Sequence, residues 1–261
     1  MLTKWTPGSR PAENESQARY PYLWRGLSLA IYPTLTGGGG STLKTFGKKA
    51  FRPSLLSGTY SWTYTPQGRS FHPDGTDGYL DTQDSSFTNE MDKEGFSVAM
   101  HFDMFGASMA NAERWWGAGE SDTQPGVFLR VISPSGTTSI LRMQVEDDAG
   151  VQERINTSEA MEMGDGPHCW LARYNWSAES YEIYWDSVLE SADDTVMGGT
   201  IGSVAGASRS IYIGGHNNNG SLLQPMSAGF IMWAWYSRQL SRREISLLGR
   251  DPFAIVRRRS R

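Results

Sequence analysis

Gly229-Phe230-Ile231-Met232-Trp233-Ala234-Trp235-Tyr236-Ser237-Arg238-Gln239-Leu240-Ser241-Arg242-Arg243-Glu244-Ile245 runs a dense aromatic segment straight into a short helix with a clear start signal. Ser241 is a helix-capping residue. Glu244, three positions on, can reach back to the Ser241 amide, which makes the reciprocal pair of a capping box. Gly249 and Pro252 then supply a stop, so the spacing predicts a helix over Ser241 to Leu248. The aromatic content of Gly229 to Tyr236 predicts a strand before it. Past the helix, Arg257-Arg258-Arg259-Ser260-Arg261 forms a basic tail.

Working back from this ending, strand signals recur with turn residues between them, the pattern of a β-sandwich rather than of alternating strand and helix units. Alternation is plain in three places. Tyr60, Trp62 and Tyr64 share one face against Ser61, Thr63 and Thr65. Phe96, Val98, Met100 and Phe102 oppose Ser97, Ala99, His101 and Asp103, and Tyr181, Ile183 and Trp185 oppose Glu182 and Tyr184. Such strands are expected to bury one face only. Val127 to Ile132, Ile140 to Val145, His168 to Tyr174 and Ser210 to Ile213 complete the strand set. All-β sandwiches run to about 200–250 residues as one domain, so the 261 residues are read as one domain with arms. Ten tryptophans in a chain that is 12% aromatic suffice to fill a core between two sheets. Cys169 is the only cysteine, which excludes an internal disulfide and a cysteine-based metal site.

The closing strand and helix resemble the end of bacterial and phage concanavalin A-like, laminin-G-like jelly rolls, which often finish in an Asp-Pro and Arg-rich tail. The resemblance extends upstream. Phe71-His72-Pro73-Asp74-Gly75-Thr76-Asp77-Gly78-Tyr79-Leu80 and Gly95-Phe96-Ser97-Val98-Ala99-Met100 look like two successive strands of that family. Asp165-Gly166-Pro167-His168-Cys169-Trp170-Leu171-Ala172-Arg173-Tyr174 and Tyr181-Glu182-Ile183-Tyr184-Trp185-Asp186 look like its hairpin. The likeness spans Gly26 to Pro252. It implies an all-β jelly-roll sandwich of two antiparallel sheets with one short C-terminal helix. The organisation expected is an N-terminal arm over 1–25, the sandwich over 26–249 and a basic C-terminal tail over 250–261. Gly37-Gly38-Gly39-Gly40-Ser41 is read as a native glycine-rich loop of that sandwich.

The same resemblance sets tests for chemistry. Glycan-cleaving members carry a Glu-x-Asp-x-x-Glu strand that aims two carboxylates into one cleft. That motif is absent: Glu120 and Asp122 share a face, but Pro125 stands where the second glutamate belongs. Glu120, Asp122 and Glu146 are the carboxylates to mutate if a hydrolase is sought. His72, His101, His168 and His216 are scattered, no serine lies in a nucleophile elbow, and the glycine-rich runs lack a P-loop lysine. The chain is expected not to be an enzyme. Calcium is the one cofactor that the resemblance implies, through rim residues Asp74, Asp77 and Asn217; Asp74 to Gly78 also reads as an ordinary turn in which aspartates bond their own backbone. A sugar reader would use the rings of Trp115 and Trp116 and the loop His216-Asn217-Asn218-Asn219-Gly220.

The net charge is −4, with four arginines (Arg257, Arg258, Arg259 and Arg261) in the last five residues. An acidic body repels polyanions, so nucleic acid is not the expected partner, while the tail could dock on an acidic protein surface. No run approaches the ~18–20 apolar residues of a membrane span, and the N-terminus has no apolar signal-peptide core, so synthesis in a host cytoplasm is expected. Two functions remain open. One is a non-enzymatic phage virion protein, a capsid decoration or fibre/tail subunit, which forms homo-oligomers or binds other virion proteins such as the major capsid protein. The other is a lectin-like carbohydrate-binding module or adhesin that recognises a surface glycan.

Overall fold

The computed structural model describes residues 10–35, 42–48, 54–84, 95–104, 113–119, 126–135, 138–146, 152–157, 161–162, 166–175, 180–193, 210–218 and 221–259. The glycine-rich loop reading at 37–41 lies outside them, as do Glu120, Asp122, Asn219 and Arg261. The strands in chain order are β1 (Leu27–Ile31), β2 (Thr42–Leu43), β3 (Thr45–Phe46), β4 (Ser54–Ser57), β5 (Tyr60–Thr65), β6 (Gly68–Pro73), β7 (Tyr79–Asp81), β8 (Phe96–Asp103), β9 (Arg114–Gly119) and β10 (Gly126–Ser135). They continue as β11 (Thr138–Glu146), β12 (Gln152–Asn156), β13 (Met161–Glu162), β14 (His168–Asn175), β15 (Ser180–Trp185), β16 (Val188–Asp193), β17 (Tyr212–Ile213), β18 (His216–Asn218), β19 (Ser221–Leu223) and β20 (Gly229–Tyr236). One helix, α1 (Arg242–Arg250), follows.

Two sheets face each other. The first runs β16-β15-β14-β8-β20-β1-β3, with the β5–β6 hairpin joined to β20 through β6. The second runs β12-β11-β10-β9-β17-β7-β4-β2, with β13 on β11 and the β18–β19 pair beside β9. Among the described residues the strand pairings are antiparallel except β18 with β9. The inward residues of both sheets form one core, as the alternation of Phe96, Val98, Met100 and Phe102 predicts. Its centre is aromatic: Trp116 meets Trp235 edge-on at 6.1 Å, and Phe96 stacks on Trp235 at 5.0 Å. The result is the expected all-β sandwich with one short helix.

The expectation that each strand buries one face is corrected for the first sheet. All eight residues of β8 and all eight of β20 are buried. The reason is a second apolar layer on the outer face of this sheet, in which Ala30, Ala99, Leu171, Ile231 and Ala234 meet Leu23, Ile245, Leu248, Phe253 and Ile255. The polar residues of β8 tether that layer. Ser97 Oγ accepts a hydrogen bond from the Leu240 amide at 3.0 Å, and His101 Nε2 lies 2.6 Å from the Leu248 carbonyl.

The same layer takes in the segments on either side of residues 26–249. Residues 10–25 and 250–259 are not free extensions but a clamp laid across the sheet. The Ala12 amide donates to the Val256 carbonyl at 2.6 Å, and the Arg19 amide donates to the Arg257 carbonyl at 2.6 Å. Ala18 pairs with Arg258 in an antiparallel bridge, and Trp24 Nε1 donates to the Ile255 carbonyl at 2.7 Å. Phe253 stacks on Tyr32 at 5.6 Å. The driving force is burial: Phe253, Ala254, Ile255 and Val256 are all within 1% of full burial.

The capping box forms as expected, with Ser241 Oγ accepting from the Glu244 amide and Glu244 accepting from the Ser241 amide. The stop differs. Gly249 lies inside the helix, which ends at Arg250 with Asp251 as an extended cap. Glycine is needed there for space, because a Cβ on Gly249 would sit 2.0 Å from Ser187 Oγ at the tip of the β15–β16 hairpin.

Candidate functional site

The β5–β6 hairpin carries the site. Tyr60, Trp62 and Tyr64 alternate along β5 and therefore project to one face. Tyr60 and Trp62 lean on the edge of the core, each within 5.6 Å of the Phe71 ring, and Trp62 meets it edge-on. Tyr64 lies one alternation further, past the end of that support, and is 82% exposed. The row therefore leaves the core and finishes in water. Thr65 Oγ1 ties the hairpin tip by donating to the Gly68 carbonyl at 2.9 Å and accepting from the Gln67 amide at 3.2 Å.

Arg69 stands directly opposite Tyr64 in the register, so its side chain emerges on the same face. Its guanidinium lies 4.2 Å from the centroid of the Trp62 ring. No carboxylate pairs with Arg69 among the described residues, and its Nε is buried without a hydrogen-bond partner. The surface thus combines an exposed phenol, a half-buried indole and a fixed fork of cationic donors. Such a surface suits a ligand with one apolar C–H face and peripheral oxygens. The negative ring faces attract the C–H groups, and the guanidinium edge meets oxygen lone pairs.

The residues singled out in the sequence fall elsewhere. Trp115 and Trp116 are both fully buried and belong to the core, so neither offers a ring to solvent. Consecutive residues on a regular strand point to opposite faces, but the β9–β10 register slips between Leu129–Trp116 and Arg130–Arg114. This bulge turns both indoles inward: Trp115 meets Phe102 at 4.6 Å and Trp116 meets Trp170 at 6.1 Å. His216 is buried edge-on against Phe128 at 5.3 Å. Asn217 is buried and donates to the Ser210 carbonyl at 2.7 Å, and Asn218 pairs with Gly119 and Ser221 through its backbone. His216 and Asn217 are thus buried rather than displayed on a surface loop.

The calcium candidates each have their own work. Asp74 Oδ1 accepts from the amides of Thr76, Asp77 and Gly78 at 2.9, 2.9 and 3.0 Å. Desolvation pushes its carboxyl up, but these amides outweigh that and leave it below the ordinary value. Asp77 Oδ1 accepts from the Thr59 amide at 2.7 Å. The turn reading therefore accounts for Asp74, whereas Asp77 bonds the Thr59 amide outside the turn, and Asn217 is engaged with Ser210. Among the described residues no group of three His, Cys, Asp or Glu could hold a metal. In the basic tail, Arg257 pairs with Asp251 at 2.7 Å and Arg259 Nε donates to the Ala18 carbonyl at 3.0 Å. These arginines serve the clamp.

Asp186 orders the end of β14. Its Oδ2 lies 2.7 Å from His168 Nδ1, and its Oδ1 accepts from the Cys169 amide at 2.8 Å. Burial first, then the charge of Asp186, pushes the Cys169 thiol up, which removes it as a nucleophile at neutral pH.

No protein-family model matches the sequence, and no curated protein matches it. Solved structures are similar in fold. Domain 4 of AbnA, a GH43 extracellular arabinanase from Geobacillus stearothermophilus solved with arabinotriose, aligns over 86% of this chain and 100% of its own, at 11% identity and a TM-score of 0.58. The receptor binding domain of botulinum neurotoxin C/D mosaic serotype aligns over 86% of this chain and 51% of its own, at 10% identity and a TM-score of 0.57. The CBM40 of the Ruminococcus gnavus IT-sialidase, bound to alpha2,3 sialyllactose, aligns over 60% of this chain and 83% of its own, at 14% identity and a TM-score of 0.49. At these identities the likeness shows the fold alone, a β-sandwich of antiparallel sheets.

Proposed function

We propose that this chain is a non-catalytic carbohydrate-binding module that reads a glycan on the Trp62–Tyr64–Arg69 face of the β5–β6 hairpin. The observation that carries this is the exposed Tyr64, set in line with Trp62 and opposite an arginine that has no acidic partner among the described residues. A free phenol ring at 82% exposure gains nothing for the fold and leaves a face for a sugar ring. The arabinotriose complex of the AbnA domain, which aligns over its whole length, supports the class of ligand. The virion reading gains no support from the fold or from these comparisons.

The test is a panel of soluble polysaccharides run in native affinity gels against the full chain, Tyr64→Ala and Trp62→Ala. Retardation by at least one polysaccharide is expected, weakened about fivefold or more in Tyr64→Ala, the loss of one stacking aromatic costing about 1–3 kcal/mol in comparable ring-stacking sites. The thermal midpoint of Tyr64→Ala should match that of the parent. Retardation by no member of a broad panel would sink the proposal, as would unchanged retardation in both variants.

A further inference from the structure

At the other end of β20, the N-terminal arm and the start of α1 frame a solvent-open pocket of about 280 Å³ lined by Tyr22, Arg25, Arg238, Ser241, Arg243 and Glu244. Its one carboxylate is already engaged. Glu244 Oε1 accepts from Arg238 Nη2 at 2.6 Å, and Oε2 accepts from Arg238 Nη1 at 3.0 Å and from the Ser241 amide and hydroxyl at 2.8 Å each. Desolvation pushes the Glu244 carboxyl up, yet these bonds outweigh it and hold it below its ordinary value, so it stays ionised at neutral pH. Arg238 and Glu244 therefore cancel in charge.

The walls are held firmly. Arg238 Nε donates to the Arg25 carbonyl at 2.6 Å and its Nη2 to the Tyr22 carbonyl at 3.1 Å, which binds the arm to the end of β20. What remains is Arg25 and Arg243. Both are exposed, and neither has a carboxylate partner among the described residues. Arg243 sits 5.9 Å from the Tyr22 ring centroid, on the arm side of the cavity. The lining, three arginines and one glutamate, is thus net positive on a chain of net charge −4. The capping box takes up the amides of Ser241 and Glu244, so the positive lining rests on the guanidiniums.

We propose that this cavity binds an oxyanion, a carboxylate or a sulfate or phosphate group borne on a small polar ligand, between the Arg25 and Arg243 guanidiniums. Guanidinium forks match planar and tetrahedral oxyanions geometrically. The volume falls below the ~300–1,000 Å³ of pockets for drug-sized ligands, which suits a group no larger than one sugar ring. The site is separate from the hairpin platform. Phe230, beside β6, and Tyr236, beside the cavity, are six residues apart on β20, about 20 Å at about 3.4 Å per residue.

The experiment is an NMR titration of the full chain at low ionic strength with sulfate, phosphate and glucuronate, using chloride at matched ionic strength as the control. Saturable shifts at Arg25, Arg243 and Ser241 are expected with at least one of the three. In the Arg25→Gln/Arg243→Gln double variant that binding should be about tenfold weaker or lost, as expected when two charge-assisted partners go. Glucuronate alone would assign a carboxylated sugar, and sulfate or phosphate alone a tetrahedral oxyanion; either supports the proposal. Shifts that are linear, that match chloride, or that persist in the double variant would overturn it. Tyr64→Ala should titrate like the parent, so failure of the glycan reading and failure of this one are told apart.

Discussion

His101 sits on an alternating strand where a sequence reading expects a polar outward residue, and the fold buries it under α1. Its pKa falls from 6.5 to about 4, chiefly through desolvation, against the opposing pull of the Leu248 carbonyl and of Asp186 and Asp251. Neutral imidazole then donates Nε2–H to Leu248. Between these two values the unfolded chain holds a proton that the folded chain refuses, so stability falls as pH drops from about 6.5 to about 4 and is indifferent to this residue above that range. Moving from pH 7 to pH 5 should cost about 2 kcal/mol, at about 1.4 kcal/mol per pH unit once the unfolded histidine protonates. His101→Gln keeps an N–H donor without the titration. Urea midpoints at pH 7 and pH 5 should differ less in that variant than in the parent, and equal slopes would refute the assignment. Asp186 and Glu244, whose carboxyls are held below their ordinary values, act in a lower window, losing their contribution as pH falls through and below about 4. At this scale the sequence was only half legible. The identities of Trp62 and Tyr64 and their shared face were plain, but not that the core ends between them. Trp115 and Trp116 were misplaced because a one-residue bulge leaves no mark in composition.

At the scale of elements, α1 and the β15–β16 hairpin are fitted to each other. The hairpin turns through Asp186 and Ser187, whose φ values of 47° and 77° place two non-glycine residues in the left-handed region. Ser187 accepts this beside Gly249, where it approaches the Ile245 and Ser246 carbonyls at 3.5 and 3.4 Å. Gly249→Ala would ordinarily favour a helix by roughly 1 kcal/mol. Here the new Cβ meets Ser187 Oγ at 2.0 Å, so the variant should lose stability, by about 1–3 kcal/mol for an overpacked contact. In a Ser187→Gly background the cost of Gly249→Ala should fall by more than half, since the overlapping oxygen is gone and the left-handed turn is relieved. Denaturant melts of the four proteins in this cycle provide the check, and additive effects would refute the contact. The helix start was legible because a capping box is local in sequence. Its end was not, because Gly249 answers to a hairpin some sixty residues earlier in the chain rather than to the helix's own backbone.

For the whole molecule, the clamp of residues 10–25 and 250–259 completes the outer layer of the first sheet. A chain trimmed to 26–249 would uncover Ala30, Ile231 and Ala234 and delete Leu23, Phe253, Ile255 and Val256. Each large apolar side chain lost from full burial is worth about 1.5–3 kcal/mol, and domains as a whole hold only about 5–15 kcal/mol. The trimmed chain should therefore bind a hydrophobic dye and lose its cooperative thermal transition. A trimmed chain with the parent's melting curve would refute the clamp's role. By itself the sequence determined the class of fold, the strands whose alternation or aromatic content is strong, and the capped start of the helix, because side-chain periodicity and capping are written into neighbouring residues; strands such as β1, β4, β9, β12 and β16 came only with the fold. Even the two-sided burial of β20 had a trace in its unbroken apolar run from Phe230 to Tyr236. Only the tertiary structure decided which faces meet water. That depends on what distant segments cover: Phe253 to Val256 close one face of the first sheet, the β9 bulge withdraws two tryptophans from the surface, and Tyr64 stays bare because nothing among the described residues packs beyond Trp62.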